Sequence, residues 1–247
     1  MNIDINCDMG EGMPTDAALM PFISSANIAC GYHAGNHDIM RKTVELCLRH
    51  NVAIGAHPGF DDRKNFGRTS VQLSSSELYD LVTSQLHALN KICKESDAAL
   101  HHVKPHGAMY NMAAKDPGMS NTLAKAVVDF NPRLIYFGLS GSYMISEAKK
   151  VGLKTAHEVF ADRTYQPNGS LTPRTNEHAL IQDENEMLKQ VLLMIKQNRV
   201  VATDKSILPI QAETICIHGD GEHALQFAGA IYNQLRQEGV TVQPIKA

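Results

Sequence analysis

The chain contains no run of about 18 apolar residues, so no helix of it is expected to cross a membrane. It has no basic excess either: 23 Lys and Arg against 26 Asp and Glu leave a formal charge of -3, which offers no footprint for nucleic acid. The five cysteines, Cys7, Cys30, Cys47, Cys93 and Cys216, are odd in number and include no C-x-x-C. That argues against a disulfide framework or a cysteine zinc knuckle and fits a reducing cytoplasm. The opening "MNIDINCDMGEG" lacks a basic n-region and an apolar h-region, so no signal peptide is expected. No G-x-x-x-x-G-K-[ST] loop announces an ATP site of Walker type. Linkers, repeats and low-complexity segments are also missing, and a single domain over residues 1–247 is expected.

What is present is an ordinary globular composition, 43% hydrophobic and 20% charged, with an unusual load of 12 histidines. Strand-like runs at residues 2–6, 26–29, 52–55, 100–103, 134–138, 154–159 and 214–217 alternate with stripes of helical spacing. Leu78, Leu81, Val82, Leu86, Leu89 and Cys93 form one stripe, opened by Ser74 and Glu77 in a capping-box pattern. Leu188, Val191, Leu192 and Ile195 follow Asp183 and Glu186; Leu225, Ala228, Tyr232 and Leu235 end before Gly239; Met40, Val44, Cys47 and Leu48 outline a fourth. All four read as core faces. Regular β-α alternation implies parallel strands with crossover helices. Seven or eight such units predict an irregular (β/α) barrel, seven-stranded rather than a full eight, with an open doubly wound sheet as the alternative. Residues 161–182 form the longest irregular stretch, a length typical of lids or disordered segments.

In either fold the chemistry belongs at the strands' carboxyl ends. There the first strand delivers Asp8 and Glu11, the second Cys30, His33, Asn36 and His37, and the third His57, Asp61 and Asp62. The fourth runs into "KPHGAMYN" with Lys104, His106, Tyr110 and Asn111. The sixth carries Glu158, Asp162 and Arg163, and the seventh His218 and Asp220. Only the fifth strand delivers no titratable group, and the strand starts read as bland. Independent core histidines would not all choose one rim, so the pattern points to an active site.

Each residue has a plainer reading. Asp8 can cap a turn, His57 before Pro58 can bond a loop carbonyl, and Cys7 and Cys30 suit a core. Lys104 at the end of a buried strand demands a partner, because an unpaired ammonium there is costly. His33 and His37 stand at i, i+4, but Gly35 interrupts the helix a ligand pair needs. His50, His87 and His178 read as surface or core residues, and of His101 and His102 at most one faces inward. Asp8, His57 and His106 are candidate ligands of a divalent metal, without diagnostic spacing. The glycine-rich turns "GLSGS" and "HGDGEH" suit an anion at a helix start. Lys104, Arg163 and Arg174 could add charge for a carboxylate or phosphate.

The segments "NCDMGEG", "SANIACGYHAGN", "GAHPGFDD…FGR", "HVKPHGAMYN", "EVFADRTY" with "GSLTPR", and "IHGD" together resemble the LamB/YcsF family, in the family's order. The resemblance implies a (β/α) barrel of the glycoside hydrolase/deacetylase type. It implies ATP-dependent opening of the lactam 5-oxo-L-proline to L-glutamate with partner subunits B and C, which would bind the ATP. Asp8, Glu11, His33, His57, Lys104, His106, Glu158, Asp162, Arg163 and His218 match the family. Its usual "HAGDP" is replaced here by His33-Ala34-Gly35-Asn36-His37, which removes support for Asn36 as an acid. On this reading Asp8 or His106 is the general base, His57 orients or shares the proton, and Lys104 and Arg163 hold anionic oxygens. Glu158 joins the catalytic group, while Glu11, His33, Asp162, Arg163, Arg174 and His218 contact substrate. Two other expectations stand beside it: a stand-alone metal-dependent carbohydrate or amide deacetylase, and a non-catalytic small-anion-binding subunit.

Overall fold

The computed structural model describes residues 1–219 and 223–246. Seven parallel strands close into a barrel: β1 (Asn2–Met9), β2 (Ser25–Ala29), β3 (Ala53–His57), β4 (His102–Val103), β5 (Ile135–Leu139), β6 (Lys154–Phe160) and β9 (Thr214–Ile217). Closure is made by β1, which pairs with β2 (Asn6↔Ser25) and also with β9 (Asp4↔Thr214). The barrel is therefore closed, and the open-sheet alternative is set aside. A short strand β10 (Thr241–Val242) adds to the start of β1, and β7 (Arg199–Val201) with β8 (Ile207–Pro209) forms a separate antiparallel hairpin.

The helices are α1 (Asp16–Leu19), α2 (His37–His50), α3 (Ser75–Glu95), α4 (Gly107–Ala113), α5 (Pro117–Phe130), α6 (Tyr143–Lys150), α7 (Glu184–Gln197) and α8 (Ala224–Gln237). Their apolar stripes bury against the sheet: α3 buries Leu78, Val82, Leu86, Leu89, Ile92 and Cys93, and its Ser74–Glu77 capping box forms. Asn36 caps α2 by accepting from the Ile39 amide, so the helix begins beyond Gly35 and leaves His33 in the loop. His37 is exposed on the first turn, which separates it from His33. No described helix is long and apolar enough to cross a membrane.

Two features shape the mouth. Pro105 follows β4 and has no N–H for the ladder, so the strand stops after two residues. Between β6 and β9, where an eighth unit would stand, residues 161–182 fold over the rim through bridges Arg163↔Leu180 and Tyr165↔Leu171.

The barrel interior differs from the bland strand starts expected of the sequence. Asp4, Asn6 and Asp8 alternate along β1 and point inward together, as period-two geometry requires. Asp4 accepts from Ser24, Ser25 and Thr214; Asn27 donates to Asn6 at 2.7 Å and to Asp8 at 2.8 Å. His102, not His101, enters this layer and donates to Asn27 at 2.9 Å. Gly55 makes room for it: a Cβ there would lie 2.1 Å from His102 Nε2.

Candidate active site

The carboxyl ends of β1, β3, β4, β6 and β9 converge on one cavity of about 590 Å3. Asp8, Glu11, His57, Lys104, His106, Arg163, Arg174 and His218 all line it. Three other expected residues lie just behind: Glu158 under Lys104, His33 behind His106, and Asp162 behind His218. Asp220 lies outside the described residues.

Lys104 is the hub of the floor. Its Nζ stands 2.9 Å from Asp8 Oδ1, 2.9 Å from Glu158 Oε1, 3.2 Å from Asn6 Oδ1 and 3.0 Å from Cys216 Sγ. Burial alone would drive the proton off, but the carboxylates of Asp8 and Glu158 outweigh it and hold the ammonium well above the usual lysine range. Burial likewise opposes ionisation of Asp8, and His57 and Lys104 reverse that, keeping it anionic well below the ordinary carboxylate range. Cys216 is pushed up by burial and stays a thiol. With four acceptors around three N–H bonds, this ammonium holds the carboxylates Asp8 and Glu158 in place. An incoming anion would have to displace one of them.

The second group is built of imidazoles. His57 Nδ1 donates to the Lys104 carbonyl at 2.7 Å, and His106 Nε2 donates to the Phe66 carbonyl at 2.8 Å. Carbonyls only accept, so these bonds fix both tautomers. They leave His57 Nε2 and His106 Nδ1 facing each other at 2.9 Å, with Asp8 Oδ2 3.3 Å from the former. His33 stacks on His106 with centroids 3.8 Å apart and planes within 4°. Glu11 Oε1 is 3.5 Å from both His33 Nε2 and His106 Nδ1. Burial, and next the His57 ring, hold His106 down at about 3; burial and His106 keep His33 neutral as well. Gly67, at φ +64°, lets these rings close up: a Cβ there would sit 2.8 Å from both His33 Cβ and His106 Cδ2.

Across the cavity Asp162 grips His218 Nδ1 with both oxygens at 2.9 Å. Burial raises Asp162, but His218 and Arg163 more than compensate and lower it. His218 also stacks on Phe160, centroids 5.6 Å apart, so its free nitrogen Nε2 is oriented on two sides. Arg163 is 4% exposed and donates to the carbonyls of Thr172 and Ala179, tying the 161–182 segment over the mouth. Burial and the neighbouring Arg174 lower it to about 10, still fully charged at neutral pH. Arg174, Arg68 and Lys115 stand exposed on the rim.

The cavity therefore has an acid–base interior and a cationic collar. Sequence reasoning missed Asn6, Asn27, Cys216, Arg68 and Lys115 as parts of it; for the asparagines the signal was available in the polar alternation Asp4, Asn6, Asp8. Of the glycine-rich turns, "GLSGS" has the Ser142 side chain accepting from the Met144 amide, so that helix start caps itself. His50, His87 and His178 are exposed, and Asp62 caps a short turn at Asn65.

The sequence profile of the LamB/YcsF family matches residues 3–247. The chain belongs to the LamB/YcsF family. A relative from Staphylococcus aureus (strain Newman), the A component of 5-oxoprolinase, is 49% identical over 250 residues, covering 99% of this chain and 100% of its own. The crystal structure of a lactam utilization protein from Thermus thermophilus superposes with a TM-score of 0.93 at 38% identity, over 99% of this chain and 100% of that one. A family 4 carbohydrate esterase from Streptomyces lividans matches at TM-score 0.52 and 11% identity, over 99% of this chain and 93% of that one. That last likeness carries the fold alone: this LamB/YcsF chain is a deacetylase-type (β/α) barrel.

Proposed function

We propose that this chain is the ring-opening component of an ATP-dependent hydrolase of 5-oxo-L-proline, acting on lactam whose oxygen partner subunits B and C have phosphorylated. The observation that carries the reading is the two-sided cavity, with lone pairs on the Glu11–His57–His106 wall, His218 Nε2 on the other, and cations at the entrance. The full-length relatives, one a 5-oxoprolinase component and one a lactam utilization protein, supply the substrate class.

Amide resonance in an unstrained five-membered lactam makes hydrolysis slow and uphill, which is why activation at oxygen is needed. The sequence offers no phosphate loop for ATP, so activation belongs to the partners. Water adds to the activated ring carbon with its proton accepted by Asp8, whose Oδ2 stands at the Glu11–His57–His106 wall. The ring C–N bond then breaks, with the nitrogen taking a proton from His218 Nε2. The product is the γ-acyl phosphate of glutamate, and a second water releases glutamate and phosphate. The direction of collapse matters: expulsion of phosphate from the tetrahedral adduct would only regenerate the lactam. A proton donor aimed at nitrogen favours ring opening, and Asp162 fixes His218 for that task. Lys104 keeps Asp8 anionic and holds Asp8 and Glu158 in place beneath the reacting carbon. Arg163, Arg174 and Lys115 receive the substrate carboxylate and phosphate.

Reconstitution with candidate B and C subunits tests this, following glutamate and ADP together. ATP hydrolysis without glutamate when this chain is omitted, and restoration of glutamate when it is added, are expected. Equal glutamate formation in its absence would sink the assignment.

A further inference from the structure

We propose that Glu11, His33, His57 and His106 bind one divalent transition-metal ion of the zinc class. Their ligand atoms all lie within 4.8 Å of one another, at the wall of the cavity.

Two observations point to a cation, and neither depends on the reaction. First, the carbonyls of Lys104 and Phe66 hold the outer N–H of His57 and of His106, so the two inner nitrogens both present lone pairs, 2.9 Å apart. Metal-ligating histidines carry this signature, the far ring nitrogen donating to a backbone carbonyl. Second, His33 is 1% exposed and neither of its ring nitrogens has a hydrogen-bond partner. Leaving a buried polar group unsatisfied costs about 1–3 kcal/mol, and a bound ion removes that cost. Its Nε2 points at the same Glu11 oxygen that His106 Nδ1 faces, 3.5 Å from each.

A competing group, Asp8, Cys216 and His218, also gathers ligand atoms. It is already served: the Lys104 ammonium contacts Asp8 and Cys216, and Asp162 takes His218 Nδ1. A second positive charge there would face the first at contact distance. Asp8 instead lends its negative charge from beside the site, its Oδ2 3.3 Å from His57 Nε2. Three imidazoles and a carboxylate suit Zn2+, Co2+, Fe2+ or Mn2+ better than the all-oxygen preference of Ca2+ or Mg2+. An ion there supplies Lewis acidity and makes bound water more acidic.

The test is metal binding itself. Chelator-treated protein is titrated with Zn2+ by calorimetry and with Co2+ by visible absorbance, alongside metal analysis of protein purified without chelator. Saturation at one ion per chain is expected, with ligand-field bands from Co2+ and a raised thermal transition. Glu11→Gln and His57→Asn should each weaken Zn2+ at least ~30-fold, while His37→Ala, on the surface, leaves stoichiometry unchanged. His33→Asn is read together with its thermal transition, because that ring is buried. No saturable uptake by the wild-type protein, or undiminished uptake by both Glu11→Gln and His57→Asn, overturns the site. A proton shared by His57 and His106 would then be the explanation of their approach.

Discussion

The lower and upper layers of the barrel interior are both polar, yet they are built on opposite principles. In the lower layer Asp4, Asn6, Ser24, Ser25, Asn27, His102 and Thr214 satisfy one another, and none leaves a buried polar atom without a partner. In the upper layer His33 has no hydrogen bond, and the oxygens of Glu158 accept no aligned one although Lys104 Nζ lies 2.9 Å away. A closed network of this kind specifies a core; open valences at the mouth of a cavity await a ligand. Polarity alone does not separate structure from function. Completeness of pairing does.

Lys104 joins the two layers, hydrogen-bonded to Asn6 below and Asp8 above and ion-paired with Glu158, so its removal breaks the comparison most severely. Lys104→Met leaves two buried carboxylates without their cation. A loss of about 3–5 kcal/mol in unfolding free energy is expected, with abolished glutamate formation. Urea denaturation and the reconstituted assay measure the two. A stable, active variant would mean that the ammonium is not the electrostatic hub.

Within the upper layer alone, function and stability should come apart. His218→Asn removes the nitrogen facing the cavity while the amide still reaches Asp162. Glutamate formation should fall ~10²–10⁴-fold, the usual range for a lost general acid, with less than about 1 kcal/mol of stability. ATP turnover without glutamate is the diagnostic pattern. Equal loss of stability and rate would make His218 a packing residue.

The fold was legible in the sequence to within a few residues. All seven strand-like runs became barrel strands, because buried parallel strands read as apolar runs between helical stripes. The hairpin of β7 and β8 and the strand β10 were not, since segments of two or three residues with exposed positions carry no period of their own. The rim was legible for a different reason: strand ends in a barrel must meet. Pairing was not. Nothing near residue 104 in the chain announces that residues 8 and 158 bracket it, and the lower layer went unread even though Asp4, Asn6 and Asp8 alternate on one strand.

The lower layer's own signature is a stability that depends on pH. Burial raises Asp4 from 3.8 to about 6, against the opposing pull of the Ser24 and Thr214 hydroxyls. The folded state thus holds this proton more tightly than the unfolded one. Its stabilising contribution is complete below about 3.8 and is lost as pH rises through about 6, worth about 3 kcal/mol in all. Asp8 and Asp162 are lowered and act in the opposite sense, so the difference from Asp4→Asn isolates the effect. Urea midpoints should favour the variant more at pH 7.5 than at pH 4.5, by less than the full amount because pH 4.5 already lies above 3.8. Glutamate formation should stay within about twofold, since this layer lies below the chemistry. A pH-independent difference would place the Asp4 proton elsewhere.

The smallest effect belongs to the collar. Arg174 is exposed on the rim, so screening and side-chain freedom limit what it contributes to holding an anion. Arg174→Ala should raise the apparent KM for 5-oxo-L-proline ~5–10-fold at low salt, about 1 kcal/mol, and leave kcat within about twofold. This is the mark of uniform binding, a contact equally strong before and during the reaction. The penalty should shrink at 0.5 M salt (roughly a 4 Å screening length), because the interaction acts through solvent. His218→Asn should show no such relief, since its bond to Asp162 is nearly dry. If salt leaves the Arg174→Ala penalty untouched, the guanidinium contacts its anion directly inside a closed site, and the segment over residues 161–182 shuts the mouth during turnover.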